Sequence, residues 1–375
     1  MSRYGGAARG ARWTSRRAAG GAWRTTEGGN VRMQGYVLRR YGHPGVMELR
    51  EVPRPVAGPG EVLVRVRAAG LNPIDHKTRD GGLRVITRLR LPLVAGSELA
   101  GEVAAVGAGV TRFAVGDRVF ARVDKRRLGA FAEYAAVAEG LVAAMPASLG
   151  FVEAASLPLA GLTALQALRD ELKVAPGDRV LVTGGAGGVG TLAIQLAVWL
   201  GAEVTTTASV RGTALVRSLG ATRVVDYRSE RFADVLHDYD GVFDLTGGQD
   251  LTDAFTILEP GRTVVSVAGL PDATTARVDL EAGPLKAALL WAASTAIRRR
   301  ARRAGVRYRY LFMHPSGSDL AVLAGLVDDG HLRPVVDRTF AFADIARAYA
   351  YLERGRAKGK VVVELPDDGP EDLAA

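Results

Sequence analysis

Residues 180–201 decide the fold, and their sequence is VLVTGGAGGVGTLAIQLAVWLG. Val180 to Thr183 form a short apolar run, which is typical of an inner parallel strand. A glycine-rich turn follows, and the next segment has the apolar spacing of a helix with one buried face, carried by Leu192, Ile194, Leu196, Ala197 and Leu200. Gly201 is expected to end this helix, and 202–207 form the second strand. A strand, a glycine turn and a helix in this order predict a dinucleotide-binding unit.

The glycines of the turn are spaced so that the backbone can approach a pyrophosphate at the start of the helix. The predicted cofactor contacts in this turn are Gly184, Gly187, Gly188, Val189 and Gly190. A tight connection with no ligand could contain the same glycines. Three further apolar strands are predicted at 223–226, 241–245 and 263–267, with the spacing of crossover connections. This context favours cofactor binding and an α/β fold with a doubly wound parallel sheet.

The second strand indicates which cofactor is bound. An NAD site carries an acidic residue near the end of this strand to hold the ribose hydroxyls. Residues 205–212 contain no acid, but they offer Ser209 and Arg211, which suit a phosphate. We therefore expect NADPH as the cofactor, with a solvated loop arginine as the alternative.

Composition limits the class of protein. The chain has 375 residues, of which 48% are hydrophobic and 6% aromatic, as expected for two globular domains. It has no run of 18 apolar residues that would predict a membrane span. It also has no cysteine, which excludes disulfides, thiolate nucleophiles and cysteine-ligated zinc.

The net charge of +9 is unevenly distributed. Residues 1–32 contain seven arginines and one acid, Glu27, which gives +6 and leaves +3 for the remainder. We expect this segment to be a disordered basic tail. It is interpreted as sequence upstream of the real start at Met33, with a transit-like peptide as the alternative.

A second basic cluster lies at 298–309, near a predicted helix end, and contains seven arginines interleaved with Tyr308. Arginines in a last helical turn are favoured by the helix dipole, so a solvated helix end is the main interpretation. Nucleic-acid binding through this cluster is a minor alternative.

The chain before the cofactor unit is rich in predicted strands, at 62–67, 101–106 and 117–120, which suggest a barrel-like domain. After Gly330 and the segment 333–342 we predict a helix at 343–354 and a strand at 359–365 that returns to the first domain. The predicted division is therefore a catalytic domain at 33–154, completed by 331–366, a nucleotide-binding domain at 155–330, and a tail at 367–375.

Six segments in order carry a family resemblance: GLNPIDHK (70–77), GSELAGEV (96–103), VGDRV (115–119), GAFAEY (129–134), AASLPLAGLTA (154–164) and GKVVV (359–363). Together they resemble the zinc-independent medium-chain dehydrogenase/reductases, in the NADPH:quinone oxidoreductase branch that includes zeta-crystallin. The resemblance covers about 33–365 and implies a GroES-like β-barrel domain with a Rossmann domain. It also implies a cytoplasmic enzyme and is compatible with a homodimer.

The zinc enzymes of this superfamily have a cysteine where Asn72 stands and Gly-His-Glu where this chain has 96–98. The resemblance therefore implies no metal site. A protein without this Lewis acid is better suited to a substrate already polarised for hydride acceptance, namely a quinone or an α,β-unsaturated carbonyl compound.

The resemblance also implies individual roles. Asn72 lies beside the nicotinamide and the substrate carbonyl, and Lys77 stabilises the oxyanion or relays a proton, unless it is only a solvated lysine. His76 and Asp75 are weaker candidates, since Asp75 can simply cap a turn. The further cofactor contacts implied are Thr163 near the nicotinamide ribose, Tyr227 near the 2′-phosphate, and Gly269 and Phe312 on the nicotinamide side.

Two other functions compete with this interpretation. The turn also fits the T-G-x-x-x-G-x-G motif of short-chain dehydrogenases through Thr183, Gly184, Gly188 and Gly190, but none of the ten tyrosines has a lysine four residues later. The second alternative is an NADPH-binding scaffold or an RNA-binding quinone-reductase-like protein with little catalysis.

Overall fold

A computed structural model describes residues 31–84, 86–87 and 89–367. The basic tail predicted at 1–32 lies outside this range except for Val31 and Arg32, and of the tail at 367–375 only Asp367 lies within it. The first strand begins at Arg32, one residue before Met33.

The described residues form sixteen strands. They are β1 (Arg32–Leu38), β2 (Met47–Pro53), β3 (Glu61–Leu71), β4 (Leu93–Val94), β5 (Glu98–Val106), β6 (Arg118–Arg122), β7 (Tyr134–Ala138), β8 (Val142–Ala144), β9 (Arg179–Val182), β10 (Glu203–Ala208), β11 (Arg223–Asp226), β12 (Tyr239–Asp244), β13 (Leu258–Ser266), β14 (Arg307–Tyr310), β15 (Val336–Ala341) and β16 (Lys360–Glu364).

The helices of the described chain are α1 (Pro73–Arg79), α2 (Phe151–Ala155), α3 (Pro158–Leu165), α4 (Gly188–Trp199), α5 (Val210–Ser218), α6 (Phe232–Val235), α7 (Gly248–Asp253), α8 (Pro284–Ala293), α9 (Thr295–Arg303), α10 (Gly317–Asp328) and α11 (Ile345–Glu353). Short 3-10 or π-helical segments occupy Glu139–Leu141, Gln166–Leu172, Thr275–Asp279 and Phe342–Asp344.

The middle of the chain builds a six-stranded parallel sheet in the order β11-β10-β9-β12-β13-β14. The order reverses next to β9, which is where a doubly wound sheet opens a crevice for its ligand. Helices α3, α4 and α10 contribute to a buried core with this sheet, which includes Leu162, Leu192, Leu323 and Phe243. The predicted Rossmann-type α/β fold is confirmed.

Strands from before and after the parallel sheet form a second, seven-stranded sheet. Its order is β15-β16-β3-β5-β6-β8, and β7 also pairs with β3. The late strand β16 runs antiparallel to β3, with Val361 opposite Leu71 and Glu364 opposite Ala68. A small sheet, β2-β1-β4, lies beside it. The barrel core contains Val62, Leu99, Phe131 and Val361, so chain segments nearly 300 residues apart share one interior.

Several sequence predictions need adjustment. β11 occupies the predicted residues 223–226, and β15 lies within the segment 333–342. The last helix begins at Ile345, two residues after its predicted start at 343. The basic cluster divides between helix α9 and an unpredicted parallel strand, β14, which lies at the sheet edge. Arg309 on this strand is buried, and it forms ion pairs with Asp279 and Glu171. The solvated interpretation was therefore wrong for Arg309.

None of the helices in the described chain is long and apolar enough to cross a bilayer.

Candidate active site

A cleft with a volume of about 450 Å³ lies between the two sheets. The glycine turn after β9 borders one part of it. The barrel borders the rest through Asn72, Lys77 and Arg122, together with Phe312 from the segment after β14. Thr163 and Lys360 also line the cleft. The structure thus brings the predicted cofactor turn and both predicted catalytic residues to one cavity.

The glycine turn needs its glycines for close packing. Gly187 is the N-cap of α4, and Gly184 has a φ of 65°, which favours glycine. A Cβ atom at Gly190 would lie 2.5 Å from the Gly184 carbonyl oxygen, so no larger residue fits without backbone movement. The turn therefore brings bare backbone and the N-terminus of a 12-residue helix to the edge of the cleft. This arrangement suits a pyrophosphate.

The turn is also joined directly to the barrel. The Gly359 N–H donates to the Ala186 carbonyl at 3.0 Å. Gly187 and Gly359 form an isolated parallel bridge, and Lys360 packs against Gly188, where a Cβ would lie 2.8 Å from the lysine Cδ. The start of β16 therefore fixes the position of the nucleotide turn relative to the barrel.

Asn72 is held by a buried ionic cluster. Its Nδ2 donates to Glu98 Oε1 at 2.6 Å, and its Oδ1 accepts from the Lys360 ammonium. Lys360 Nζ also donates to Glu98 Oε1 at 2.6 Å and to the Leu71 carbonyl at 3.2 Å. The second carboxylate oxygen of Glu98 accepts from the Leu159 N–H at 2.6 Å. Because every member is buried and paired, the cluster fixes the Asn72 amide in one orientation.

Asp75 acts as the predicted cap, and it also has an unusual environment. Its Oδ2 accepts from the Asn72 N–H at 2.8 Å, at the start of α1, and its Oδ1 accepts from the Ser97 hydroxyl. Burial raises the pKa of Asp75 from its ordinary value of 3.8 to about 6. The neighbouring His76 is half-buried, its pKa is lowered by desolvation, and its Nδ1 has no hydrogen-bond partner in the described structure.

Lys77 and Thr163 differ in what they can offer a substrate. Lys77 is exposed on α1 at the rim of the cleft and makes no ion pair with the described residues. Thr163 lies in α3, and its hydroxyl donates to the Leu159 carbonyl at 2.7 Å, as threonines within helices often do. Phe312 is buried, and the ammonium of Lys125 lies 5.3 Å from its ring centroid.

Three of the expected cofactor contacts lie beyond the cleft lining, at the carboxyl ends of β10 and β11. Ser209 is the buried N-cap of α5, and Arg211 is exposed in the first turn of the same helix. Tyr227 follows β11 and is 56% exposed. Lys358 joins this group, since its Nζ donates to Ser209 Oγ at 3.3 Å. Lys358 was not among the expected contacts. It lies 149 residues after Ser209 and immediately precedes the motif at 359–363.

Gly269 also lies outside the cleft lining, whereas its neighbour Ala268 contributes to it. The Gly269 N–H donates to Ser266 Oγ at 2.9 Å, and a Cβ at this position would collide with the Tyr308 hydroxyl. Close packing against Tyr308 therefore accounts for this glycine without a ligand.

The positions that the resemblance equates with zinc ligands have other partners here. Asn72 belongs to the ionic cluster with Lys360, and the Ser97 hydroxyl donates to Asp75. Within the part of the chain that the structure describes, no three His, Asp or Glu side chains are grouped so that they could hold a metal ion.

Two family models match the chain. The alcohol dehydrogenase GroES-like domain matches residues 58–147, and a model described as zinc-binding dehydrogenase matches residues 219–363. The first match covers most of the barrel strands, and the second runs from β11 to β16.

Known proteins match over nearly the whole chain. A mitochondrial NAD(P)H oxidoreductase, RTN4IP1 of Danio rerio, is 35% identical over 90% of this chain and 93% of its own length. A chloroplastic NADPH-dependent alkenal/one oxidoreductase of Arabidopsis thaliana is 36% identical over 88% of this chain and 79% of its own. The solved quinone oxidoreductase of Coxiella burnetii superposes with a TM-score of 0.77, at 32% identity, over 90% of this chain and all of that one. The chain therefore belongs to the medium-chain dehydrogenase/reductases, in their zinc-independent quinone oxidoreductase branch.

Proposed function

We propose that the protein reduces quinones or α,β-unsaturated carbonyl compounds with NADPH. One observation carries the proposal: a single cleft is bordered by the glycine turn of the parallel sheet and by the Asn72–Lys77 segment of the barrel. A cofactor whose pyrophosphate lies on the turn can reach the polar groups of the barrel within this cleft. The relatives named above as quinone and alkenal/one oxidoreductases support this substrate class.

The glycine turn fits a dinucleotide. The N-terminus of α4 borders the cleft through Gly187, Gly188 and Val189, and the closely packed Gly184 and Gly190 keep the backbone at the surface of the cleft. When bound, the reduced nicotinamide supplies the hydride. The chain supplies the rest: the backbone of 184–190 binds phosphate, and Thr163 and Phe312 border the remaining part of the cleft.

Asn72 and Lys77 would contribute to the chemistry in different ways. The Asn72 amide is fixed by Glu98 and Lys360, so it can present its second N–H in a constant direction. Lys77 is exposed and charged, and in this proposal it relays a proton from solvent to the product oxygen. Removal of Lys77 should then slow protonation without loosening the fold.

The preference for NADPH over NADH rests on the group at the end of β10. Ser209, Arg211 and Lys358 offer a hydroxyl, two cations and the N-terminus of α5, all of which favour a 2′-phosphate. The nearest acid on the neighbouring strand is Asp226, which is in register with Ala208. Its carboxylate is engaged, since it accepts from the Arg228 N–H at 3.1 Å. Tyr227 remains a proposed contact to the adenosine side.

The division into domains belongs to the same proposal. A catalytic unit at 33–154 with 331–366 and a nucleotide unit at 155–330 agree with the two sheets described above. A cytoplasmic location and a homodimer also remain proposals. The relatives named above carry mitochondrial and chloroplastic names, so the compartment should be determined by locating the tagged protein in its own cells.

The decisive experiment follows NADPH oxidation with quinones, alkenals and enones at matched concentrations. We expect turnover on at least one of these classes, with a lower KM for NADPH than for NADH. A protein that binds NADPH but turns over none of them would support the scaffold alternative. Competition between RNA and NADPH for binding would support the RNA-binding alternative.

A further inference from the structure

Arg122 is a buried cation without an ion pair, and it borders the cleft. It ends β6, opposite Glu98 in the antiparallel pairing with β5, and only 3% of it is exposed. Its Nη1 donates to the carbonyl oxygens of Ser97 at 3.0 Å and Val123, while Nε has no partner. The guanidinium forms no ion pair with the described residues, although Asp75, Glu98 and Asp124 lie near enough to favour its charged form. A buried cation with unsatisfied N–H groups is costly unless a ligand completes it.

The position of Arg122 shows what that ligand would meet. Arg122 borders both the main cleft and a second cavity of about 20 Å³, and Ile74, Leu83 and Phe312 border both spaces with it. These apolar side chains would cover the carbon skeleton of a substrate. The cation would then face its oxygen, in a pocket where desolvation strengthens an electrostatic contact.

Other donors at the cleft are less suited to hold an oxyanion. The Asn72 amide has one N–H left beside those contacts, but it is a neutral donor, and the Thr163 hydroxyl donates to Leu159. Lys77 is exposed, so water screens its charge. Tyr310 also lines the cleft, and its hydroxyl forms no hydrogen bond with the described residues, but that group is neutral, and burial raises its pKa above the ordinary value.

We propose that Arg122 is the catalytic residue that stabilises the oxyanion of the substrate. The inference rests on the proposed function, in which a quinone or an α,β-unsaturated carbonyl compound is reduced. In an α,β-unsaturated carbonyl compound the hydride adds to the β-carbon, and the π-electron pair moves to the carbonyl oxygen as an enolate. In a quinone the hydride adds to one carbonyl oxygen, and the electron pair moves through the ring to the other oxygen as a phenolate. That oxygen accepts from Arg122 and then takes one proton, relayed from solvent, while the reduced nicotinamide is oxidised.

The first arm of the test is kinetic. We expect Arg122→Met to lower kcat on the order of 100-fold with either substrate class, since loss of one oxyanion donor has effects of this size. Arg122→Lys should lose less, because it keeps the charge. Arg118→Met is the matched control, since Arg118 lies on the same strand but is exposed, and its activity should match the wild type. The Kd for NADPH should stay the same in all three variants.

The second arm needs no turnover. In the presence of NADP⁺ we expect the wild type to bind 4-nitrophenolate, a stable phenolate. Binding should lower the apparent pKa of 4-nitrophenol, and the visible absorption of the phenolate measures this change. Arg122→Met should bind the phenolate at least tenfold more weakly and abolish the shift in the apparent pKa.

The two arms separate failure of the inference from failure of the proposed function. A wild type that turns over no quinone or enone contradicts the function, while the phenolate titration still tests Arg122. Equal phenolate binding by wild type and Arg122→Met, or a kcat reduced less than threefold, would overturn the inference. A parallel loss of NADPH affinity would do the same, because it would show a structural role. If Arg122→Met does not fold, Arg122→Lys carries both arms, with a smaller expected loss.

Discussion

Lys360 Nζ lies 2.6 Å from Glu98 Oε1, and the two side chains are 4% and 0% exposed, although 262 positions separate them in the chain. The lysine donates in addition to Asn72 and to the Leu71 carbonyl, so all three of its N–H groups are used. The last strand of the barrel thereby supplies the counter-charge for an acid on one of the first strands. The same contacts fix the orientation of the Asn72 amide at the cleft.

Loss of one partner from this pair should be severe. We expect Lys360→Met to lower the free energy of unfolding by about 3–5 kcal/mol, because Glu98 is left as an unpaired buried charge. The double variant Lys360→Met with Glu98→Gln should recover much of this loss. Urea denaturation of the three proteins measures both effects. If the single and double variants are equally unstable, the pairing energy does not explain the loss.

Asp75 should make stability depend on pH. Its pKa is raised from 3.8 to about 6 in the folded state, so folding favours the protonated form. The stability that the protonated Asp75 contributes to the fold is fully present below pH 4 and is lost as the pH rises through 6. A shift of about two units corresponds to about 3 kcal/mol. Stability of the wild type relative to Asp75→Asn, measured in urea from pH 4 to 7.5, should therefore fall by up to that amount. A constant difference across this range contradicts the assignment.

Cofactor selectivity should depend on Arg211 and Lys358. Removing either cation, as Arg211→Ala or Lys358→Met, should raise the Kd for NADPH and leave that for NADH nearly unchanged. A charge-assisted contact to phosphate contributes about 1.5–3 kcal/mol, which is roughly 10- to 100-fold in Kd. Arg217→Ala, on the exposed side of α5, is the matched control. Equal weakening of both cofactors, measured by fluorescence titration, would show that these residues do not contact the 2′-phosphate.

Two glycines on helices should respond in opposite ways to alanine. Gly190→Ala places a Cβ 2.5 Å from the Gly184 carbonyl, so we expect NADPH binding to weaken at least tenfold and the Tm to fall. Gly325 lies on α10 and is exposed, and a Cβ added there would meet no atom within 4 Å. Gly325→Ala should therefore gain up to about 1 kcal/mol from helix propensity, with NADPH binding unchanged. Calorimetry and cofactor titration distinguish the two outcomes.

Chelation tests the zinc-independent assignment. We expect NADPH-dependent turnover to survive exhaustive treatment with EDTA, and the purified protein to contain no stoichiometric zinc by elemental analysis. Activity that is lost on chelation and restored by zinc would reveal a metal site that includes groups such as His76 or Glu98.

Local patterns were sufficient to predict the nucleotide-binding unit. The evidence for this unit lies within short stretches of sequence: apolar runs, the spacing of the glycines and the absence of an acid at 205–212. β11, for example, occupies its predicted positions. β14 was missed because its sequence, RYRY, has no apolar run, and Arg309 gains its partners only through the fold. The contacts of Lys358, Lys360 and Arg122 join segments that are distant in the chain, and a single sequence does not show such contacts.

The path of the chain through the barrel has a consequence for biosynthesis. The chain leaves the barrel after β8 and returns to it at β15. All strands of the parallel sheet are therefore synthesised one after another, whereas the barrel is complete only when β16 has been made. On the ribosome, the nucleotide-binding half can fold before β16 has emerged from the exit tunnel. Until then the 68–71 edge of β3 has no partner from β16, and Glu98 lacks the Lys360 ammonium. A chain that stops before Lys360 would thus carry an open sheet edge, which marks it for aggregation or degradation.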